Sequence, residues 1–199
     1  MRLRRGPIGV ILAGGQGRRI GGAKALVKLR GKPLIAYPLE VMASVLGDVV
    51  VVAKPDTELP DLPGVKVWIE PETPRHPIVG ITYALAMSGG RPVVICAADL
   101  PLVSPALIDR IVHCNPAGSP CVIASHAGVI QPLLGCYQQA AAAQLGTVAD
   151  RPVRELVSAI GPRLLEVGDP DELFNVNGPD DLLQATAMLD RRERAATRT

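Results

Sequence analysis

The residues best suited to chemistry form a loop rich in glycine and positive charge near the start of the chain. The loop follows a short apolar run at 8–13 and reads LAGGQGRRIGGAK from Leu12 to Lys24. Its five glycines let the backbone adopt positive φ and bring N–H groups close to an anion. Arg18, Arg19 and Lys24 add three cations. Together these features predict a polyphosphate-binding loop.

Two familiar phosphate-binding patterns do not fit this loop. A P-loop requires GxxxxGK followed by Ser or Thr. Counted from Gly17, the lysine comes one residue late, and Ala25 follows it. The dinucleotide pattern GxGxxG would begin at Gly15, but Ile20 occupies its third glycine position. The loop therefore predicts phosphate binding outside these two families. The structural alternative is a flexible surface loop whose arginines serve solubility.

Asp99 is the second candidate, because it follows an apolar run and precedes a helix start. The run covers 91–97, and Ser104–Pro105 is typical of an N-cap and first helical turn. A single carboxylate at the sheet edge that carries the phosphate loop suits Mg2+, which completes its shell with phosphate oxygens and water. The alternative is a turn-forming aspartate. Cys96 is expected to be a buried strand residue rather than a nucleophile.

The segment FNVNGPDDL at 174–182 contains two asparagines of interest. Asn175 and Asn177 alternate to one face of an extended stretch, so both amides can face a cleft. Alternatively, Asn177 and Gly178 simply form the turn into the last helix.

The elements that would position these residues alternate along the chain. Strands are predicted at 8–13, 48–53, 65–69, 91–97, 120–125 and 131–137. Helices are predicted at 33–46, 77–88, 104–113, 138–145, 152–160 and from 178 onward, the last with Leu182, Leu183, Thr186 and Leu189 facing inward. This alternation predicts an α/β fold with a doubly wound, mostly parallel sheet in three layers. Only 3% of residues are aromatic, so Val, Leu, Ile and Ala must fill the core.

The chain of 199 residues predicts a single domain over 1–199. We expect a nucleotide-binding half at about 7–115, an acceptor-binding half at about 116–190 and a tail at 191–199. Arginines near both ends are expected to be solvated; they are Arg2, Arg4, Arg5, Arg191, Arg192, Arg194 and Arg198.

Composition also limits the partners and the location. A net charge of +2 and few aromatic residues argue against nucleic acid as a partner. No apolar run reaches the roughly 18 residues that a membrane span needs, and the N-terminus lacks a signal-peptide pattern. A cytoplasmic protein with no membrane partner is therefore expected.

The glycine loop resembles the signature of the molybdenum cofactor guanylyltransferase family. That family belongs to a superfamily with the molybdopterin cytidylyltransferases and the sugar-phosphate nucleotidyltransferases. The segment Ala98-Asp99-Leu100-Pro101 and the closing FNVNGPDDL are similar to further motifs of the family. The resemblance covers roughly 8–190 and is strongest in the first hundred residues. It implies a Rossmann-like nucleotidyltransferase fold.

The resemblance also implies an activity and a set of site residues. The activity is transfer of GMP from GTP to molybdopterin with release of pyrophosphate, helped by Mg2+. Nucleotide binding is implied for Leu12, Ala13, Gly14, Gly15, Lys24 and Asp99. Catalysis is implied for Lys24, Arg19 and Asp99, with Asp99 also holding the metal. Acceptor contacts are expected at His76, Gln131, Asn175 and Asn177. Molybdenum enzymes or other proteins of the cofactor pathway are the protein partners that the family implies.

Four positions depart from the family pattern and leave specificity open. Ala23 stands where an acid often precedes the lysine, and Pro71 stands near the place of a frequent aspartate. His76 begins the segment that usually reads GPLxG, and Gln131 replaces the histidine of an HPL motif. CTP or another phosphorylated acceptor therefore remains an alternative. A protein that binds a nucleotide, or molybdopterin, without turnover is another.

Overall fold

The computed structural model describes residues 6–14, 24–146 and 151–197. Within these residues, seven strands form one sheet in the order β5-β4-β1-β6-β8-β7-β9, and a separate short hairpin joins β2 and β3. The strands are β1 (Ile8–Leu12), β2 (Lys28–Leu29), β3 (Lys32–Pro33), β4 (Val49–Ala53), β5 (Lys66–Ile69), β6 (Val93–Ala97), β7 (Cys121–His126), β8 (Val129–Tyr137) and β9 (Arg163–Glu166). The helices are α1 (Ala36–Val45), α2 (Pro77–Met87), α3 (Pro105–His113), α4 (Ala140–Leu145), α5 (Val153–Ala159) and α6 (Pro179–Ala196).

The sheet is mostly parallel, which confirms the predicted fold class. Strands β5, β4, β1 and β6 run parallel to one another, and β7 runs parallel to β9. Strand β8 lies antiparallel to both of its neighbours. Its direction follows from the two-residue turn at Ala127 and Gly128, which both have positive φ, because so short a connection can only join antiparallel strands.

Helices cover both faces of the sheet and produce two main cores. Successive residues of β1 face opposite sides, so Ile11 packs with Met42 of α1 and Leu107 of α3. Val10 packs on the other side with Ile78 of α2. A third, small core joins the β2–β3 hairpin to α6 through Leu29, Leu34, Val176 and Ala185.

The order of the strands places a switch point beside β1. The chain passes from β1 through α1 to β4 and β5 on one side, and then returns through α2 to β6 on the other side. Open α/β sheets bind ligands where such connections diverge, at the carboxyl ends of the strands. The glycine loop after β1 and the Asp99 loop after β6 both leave the sheet there.

Several sequence predictions need correction. Helix α1 begins at Ala36 rather than near residue 33, because Pro33 belongs to the small hairpin and the Leu34 amide bonds to Val27 O. The hairpin and β9 were not predicted. Leu183 does not face inward but is 72% exposed, since it lies one residue off the apolar stripe to which the fully buried Ala185 belongs.

The predicted tail at 191–199 is also partly wrong. Helix α6 continues through Ala196, and Arg192 donates to the carbonyl of Leu102 and to Asp169 Oδ2, at 2.8 Å for the latter. Arg192 is therefore an anchoring residue rather than a solvated one. Among the described residues, no helix combines the length and apolar character needed to cross a membrane.

Candidate active site

The start of the glycine loop is fixed to the two strands that flank β1. The Ala13 amide donates to Val52 O at 2.9 Å, and the Ala98 amide donates to Leu12 O at 3.1 Å. Leu12 and Ala13 are buried, whereas Gly14 is exposed at the edge. The backbone thus leaves the core at Gly14, beside the segment that carries Asp99.

Much of the loop itself lies outside the described residues. Gly15 and Arg19 fall there, as do the other positions of 15–23. Lys24 begins a short 3-10 turn, Lys24–Leu26. For Lys24 itself, only the backbone is described. The next residue, Ala25, is buried in the core formed with α1 and α3. The roles predicted for Gly15, Arg19 and Lys24 therefore remain predictions.

Asp99 is half-buried in the loop between β6 and α3, at the predicted position. Its carbonyl accepts a hydrogen bond from the Val176 amide at 3.0 Å. Ser104 caps α3 as predicted, since its Oγ accepts from the Leu107 amide at 3.1 Å. Cys96 is fully buried, and its pKa is raised, mainly by burial and further by the charge of Asp99. Cys96 is thus a core residue and not a thiolate nucleophile, as expected.

The closing segment brings two predicted acceptor residues together. Asn175 Nδ2 donates to Leu173 O at 3.3 Å, and Gln131 Nε2, from β8, donates to the same carbonyl at 3.4 Å. Val176 lies next to Asn175 and bonds to the Asp99 backbone. Gln131 and Asn175 therefore lie on the Asp99 side of the site.

Asn177 and Gly178 form the turn into α6. Both backbone amides donate to Asp181 Oδ2, at 2.7 and 2.9 Å. An acidic side chain in the first turn satisfies amides that the helix leaves without internal partners. Asn177 therefore takes part in the turn into the last helix, which was the structural alternative to a binding role.

His76 lies apart from the other predicted acceptor residues. It is the N-cap of α2, and its Nδ1 accepts from the Ile78 amide at 3.2 Å. This bond requires an unprotonated Nδ1. The predicted acceptor residues therefore fall on two sides of the glycine loop, with His76 near the end of β5 and Gln131 beyond β6.

Sequence reasoning missed a buried ion pair at the same edge of the sheet. Lys54 directly follows β4 and is 6% exposed; Glu70 directly follows β5 and is 5% exposed. Lys54 Nζ lies 3.5 Å from Glu70 Oε1. Burial raises the pKa of Glu70, and the charge of Lys54 opposes that effect. Glu70 carried a weak sequence signal as an acid near Pro71, whereas nothing local distinguished Lys54 from a solvated lysine.

The Glu70 carboxylate packs against the start of the glycine loop and the first turns of α2. A Cβ added to Gly14 would lie 3.1 Å from Glu70 Oε1, and one added to Gly80 would lie 3.3 Å from Oε2. Oε2 is buried and has no hydrogen-bond partner in the described structure. A buried carboxylate oxygen is costly unless a donor reaches it. Glu70 is therefore a candidate ligand contact.

The donor set at this edge fits Mg2+ better than a metal that requires a complete protein cage. Within the described ranges, no three or more His, Cys, Asp or Glu residues cluster in a way that could hold a metal. Mg2+ commonly takes only one or two carboxylates and keeps water and substrate phosphates as its other ligands. Asp99, next to the glycine loop, meets that requirement.

Comparisons with known proteins show which family the chain resembles. A family model described as "MobA-like NTP transferase domain" matches residues 9–166. The chain is 32% identical over 198 residues to a probable molybdenum cofactor guanylyltransferase of Thermococcus kodakarensis, covering 92% of this chain and 96% of that protein. It is 30% identical over 196 residues to one of Chloroflexus aggregans, covering 91% and 94%.

A solved structure shares the fold over almost its whole length. It is molybdopterin-guanine dinucleotide biosynthesis protein A of Archaeoglobus fulgidus, which superposes with a TM-score of 0.73 at 25% identity. The superposition covers 92% of this chain and 99% of that one.

Proposed function

This chain belongs to the MobA-like NTP transferase family and is a nucleotidyltransferase, and we propose that it transfers GMP from GTP to molybdopterin. The observation that carries the proposal is that the start of the glycine loop, at Leu12, meets the segment before Asp99 at the switch point of the sheet, through the bond from Ala98 N to Leu12 O. The names of the relatives support molybdopterin as the acceptor and a guanine nucleotide as the donor.

The reaction is an in-line displacement at the α-phosphorus of the donor. A phosphate oxygen of molybdopterin forms the new P–O bond, and the bond to the bridging oxygen breaks, so pyrophosphate leaves with its electron pair. Such reactions depend on positioning and charge neutralisation and need no covalent intermediate with the protein. The buried Cys96 thiol, with its raised pKa, is consistent with that chemistry.

The glycine loop would hold the donor phosphates. Backbone amides at Gly14 and Gly15 would donate to phosphate oxygens, and Lys24 and Arg19 would neutralise the charge that moves onto the leaving group. Leu12 and Ala13 contribute by fixing where the loop leaves the sheet, since their backbone groups bond to β6 and β4 segments.

Asp99 would hold Mg2+. When bound, the ion would supply positive charge to the phosphate oxygens. The Asp99 backbone is fixed by Val176, so the closing segment would set the position of the carboxylate.

The acceptor would lie on the Asp99 side of the glycine loop. Gln131 and Asn175 meet there at Leu173 O, and amide side chains offer both donors and acceptors to a polar pterin. Asn177 lies one residue beyond Val176 in the same segment. His76 would contact the substrates from the other side of the loop, through the ring nitrogen that does not cap α2.

The test is a screen of donors and acceptors with the purified protein. The protein is incubated with Mg2+, molybdopterin and each of GTP, CTP, ATP and UTP; pyrophosphate is measured and products are identified by mass. Pyrophosphate and a guanine dinucleotide product with GTP alone are expected. A cytidine product would overturn the choice of donor, and turnover only with a sugar phosphate or a phosphorylated hydroxy acid would overturn the choice of acceptor. Tight nucleotide binding without pyrophosphate release under any combination would overturn transfer itself.

A further inference from the structure

Lys54 is nearly buried, yet its position after β4 gives it no direct place in the proposed chemistry. An ammonium group costs free energy when it leaves water, unless each of its three N–H groups finds a partner. The partners of Lys54 show what it is held for. Nζ donates to Pro71 O at 2.6 Å and to Pro74 O at 3.1 Å, and it lies 3.5 Å from Glu70 Oε1.

All three partners belong to one loop, 70–76, which connects β5 to α2. Lys54 itself is held by a reciprocal turn, since its amide donates to Thr57 Oγ1 and its carbonyl accepts from the Thr57 amide. The Glu70 amide donates to Ala53 O, which extends the β4–β5 ladder to this point. Lys54 thus ties the end of β4 to the beginning and the middle of the neighbouring loop.

This clamp determines where the Glu70 carboxylate lies. One oxygen, Oε1, faces Lys54 and the backbone at Gly14, whereas Oε2 lies against Gly80 and has no hydrogen-bond partner in the described structure. Without Lys54, Oε1 would lose its ion-pair partner and the carbonyls of Pro71 and Pro74 would lose their donor. The carboxylate would then have neither a fixed position nor a compensated charge in a buried site.

We propose that Lys54 is a positioning residue, which uses its ammonium group to hold the 70–76 loop and to keep the Glu70 carboxylate fixed against the start of the glycine loop. The inference rests on the proposed function in one respect, namely that a nucleoside triphosphate binds at the glycine loop. It concerns nucleotide binding rather than chemistry, because Glu70 leaves β5 and two strands, β4 and β1, separate it from the Asp99 strand.

Other charged groups lie near Glu70, and a titration of the Glu70 carboxyl must be distinguished from theirs. Glu72 and Arg75 lie on the same loop, where Arg75 pairs outward with Asp56 at 2.7 Å and with Glu72 at 3.6 Å. His76 caps α2. The side chains of Arg18, Arg19 and Lys24 in the glycine loop lie outside the described structure. Of the charged groups whose side chains the structure describes, Lys54 is the one that pairs with the Glu70 carboxylate, at 3.5 Å from Oε1.

The single tryptophan of the chain provides a direct reporter. Trp68 lies two residues before Glu70 on β5, so both side chains point to the same face of the sheet, and Trp68 is only 7% exposed. Its fluorescence can follow GTP and its Mg2+ complex without turnover. The 13C resonance of the Glu70 carboxyl gives a second readout that does not depend on any nucleotide.

The test compares the full-length wild type with Lys54→Met, which keeps the length of the side chain but removes its charge. Lys54→Arg keeps the charge and serves as the rescue variant. Lys66→Met is the matched control, because Lys66 is exposed on the adjacent strand β5. Folding is checked for each by circular dichroism and thermal unfolding.

Lys54→Met is expected to weaken GTP binding about tenfold, the effect of losing a hydrogen bond to a charged group, with kcat at saturating GTP nearly unchanged. It should also raise the pH at which the Glu70 carboxyl titrates. Lys54→Arg should recover most of the affinity if it folds, and Lys66→Met should behave as the wild type. If Lys54→Met does not fold, Lys54→Gln, which also removes the charge, takes its place, and wild-type GTP affinity together with a wild-type Glu70 titration in that folded variant would overturn the inference.

The outcomes separate this inference from the proposed function. A wild type that binds no nucleoside triphosphate would overturn the proposed function, and the Lys54 inference would then stand or fall on the Glu70 titration alone. A folded Lys54→Met protein with lower thermal stability but wild-type affinity and wild-type Glu70 titration would show a purely structural lysine and overturn the inference.

Discussion

Asp99 shows how a single residue can be placed by two distant parts of the chain. Its strand, β6, pairs with β1 and so delivers it beside the start of the glycine loop. Val176, which lies far along the chain in the closing segment, donates its amide to the Asp99 carbonyl. Because its backbone is fixed in this way, the Asp99 side chain starts from a defined position. Its proposed role depends on charge, whereas its backbone role does not.

Asp99→Asn should therefore preserve the fold and remove most Mg2+-dependent activity. An amide is a poorer ligand for a hard cation than a carboxylate, so we expect kcat to fall about a hundredfold or more. Steady-state kinetics over a range of Mg2+ concentrations measures the effect. Asp61→Asn, in the exposed loop after β4, is the matched control. Loss of folding with normal activity per folded molecule would instead identify Asp99 as a structural residue.

Lys24 should act in both the bound and the transition state. It ends the glycine loop and begins the 3-10 turn Lys24–Leu26, whose second residue, Ala25, is buried. A cation that neutralises phosphates contributes to binding and to turnover together, so Lys24→Ala should raise KM and lower kcat, with a combined loss of about a hundredfold in kcat/KM. Equal kinetics for Lys24→Ala and the exposed-lysine variant Lys66→Ala would contradict the proposed phosphate contact.

At the scale of elements, α6 holds the Asp99 loop in place from outside the sheet. Arg192, on its last turns, donates to the Leu102 carbonyl and pairs with Asp169. The neighbouring Arg191 makes a longer contact, of 3.7 Å, with Asp171. The two arginines thus differ in burial, with side chains 33% and 58% exposed, although they are adjacent on one helix.

Arg192→Ala is expected to lower the free energy of unfolding by about 1 to 2 kcal/mol, because a carbonyl loses a charged donor. Arg191→Ala should change it by less than about 0.5 kcal/mol, as is usual for an exposed pair. Urea denaturation measures both. Since Leu102 follows Asp99 by three residues, Arg192→Ala should also raise the Mg2+ concentration needed for half-maximal activity. Equal effects of the two substitutions would contradict the anchoring role.

The elements that sequence predicted well are those whose neighbours are local or fully buried. Strands β1, β4 and β6 are continuous apolar runs, and Ser104 marks the start of α3 through a bond to an amide three residues away. Strand β9 was missed because it lies at an edge and three of its four residues are exposed, so it has no apolar alternation. The Lys54–Glu70 pair was missed because it joins the ends of two strands, and no local pattern records such a contact.

For the molecule as a whole, Arg91 and Glu70 show contrasting hydrogen bonding at opposite edges of the sheet. At the amino edge, Arg91 bonds to Asp48 at 2.6 Å and to the carbonyls of Gly6 and Pro7. At the carboxyl edge, Glu70 keeps a buried oxygen with no hydrogen-bond partner in the described structure. A buried carboxylate oxygen without a donor is costly, so Glu70 gives up stability at this edge, as functional groups often do.

This trade-off predicts a particular pH dependence of stability. Burial raises the pKa of Glu70 in the native protein above its ordinary value of 4.5. Between that value and the native pKa, the native state binds more protons than the unfolded state, so the contribution of Glu70 to the free energy of unfolding falls as the pH rises. Glu70→Gln lacks this contribution. The stability of Glu70→Gln relative to wild type should therefore increase as the pH rises from 4.5 through the native pKa, and then become constant.

Urea denaturation of both proteins at several pH values from 4 to 8 measures this difference directly, since the titrations of all other groups are shared. Glu72→Gln is the control, because Glu72 lies two residues away but its side chain is 67% exposed. The difference between wild type and Glu72→Gln should change little over the same range, whereas parallel curves for wild type and Glu70→Gln would contradict a raised pKa.

Saturating GTP should stabilise the wild type more than Glu70→Gln if the buried carboxylate receives a donor from the nucleotide. The reason is that a ligand that binds only the native state stabilises it more the tighter it binds.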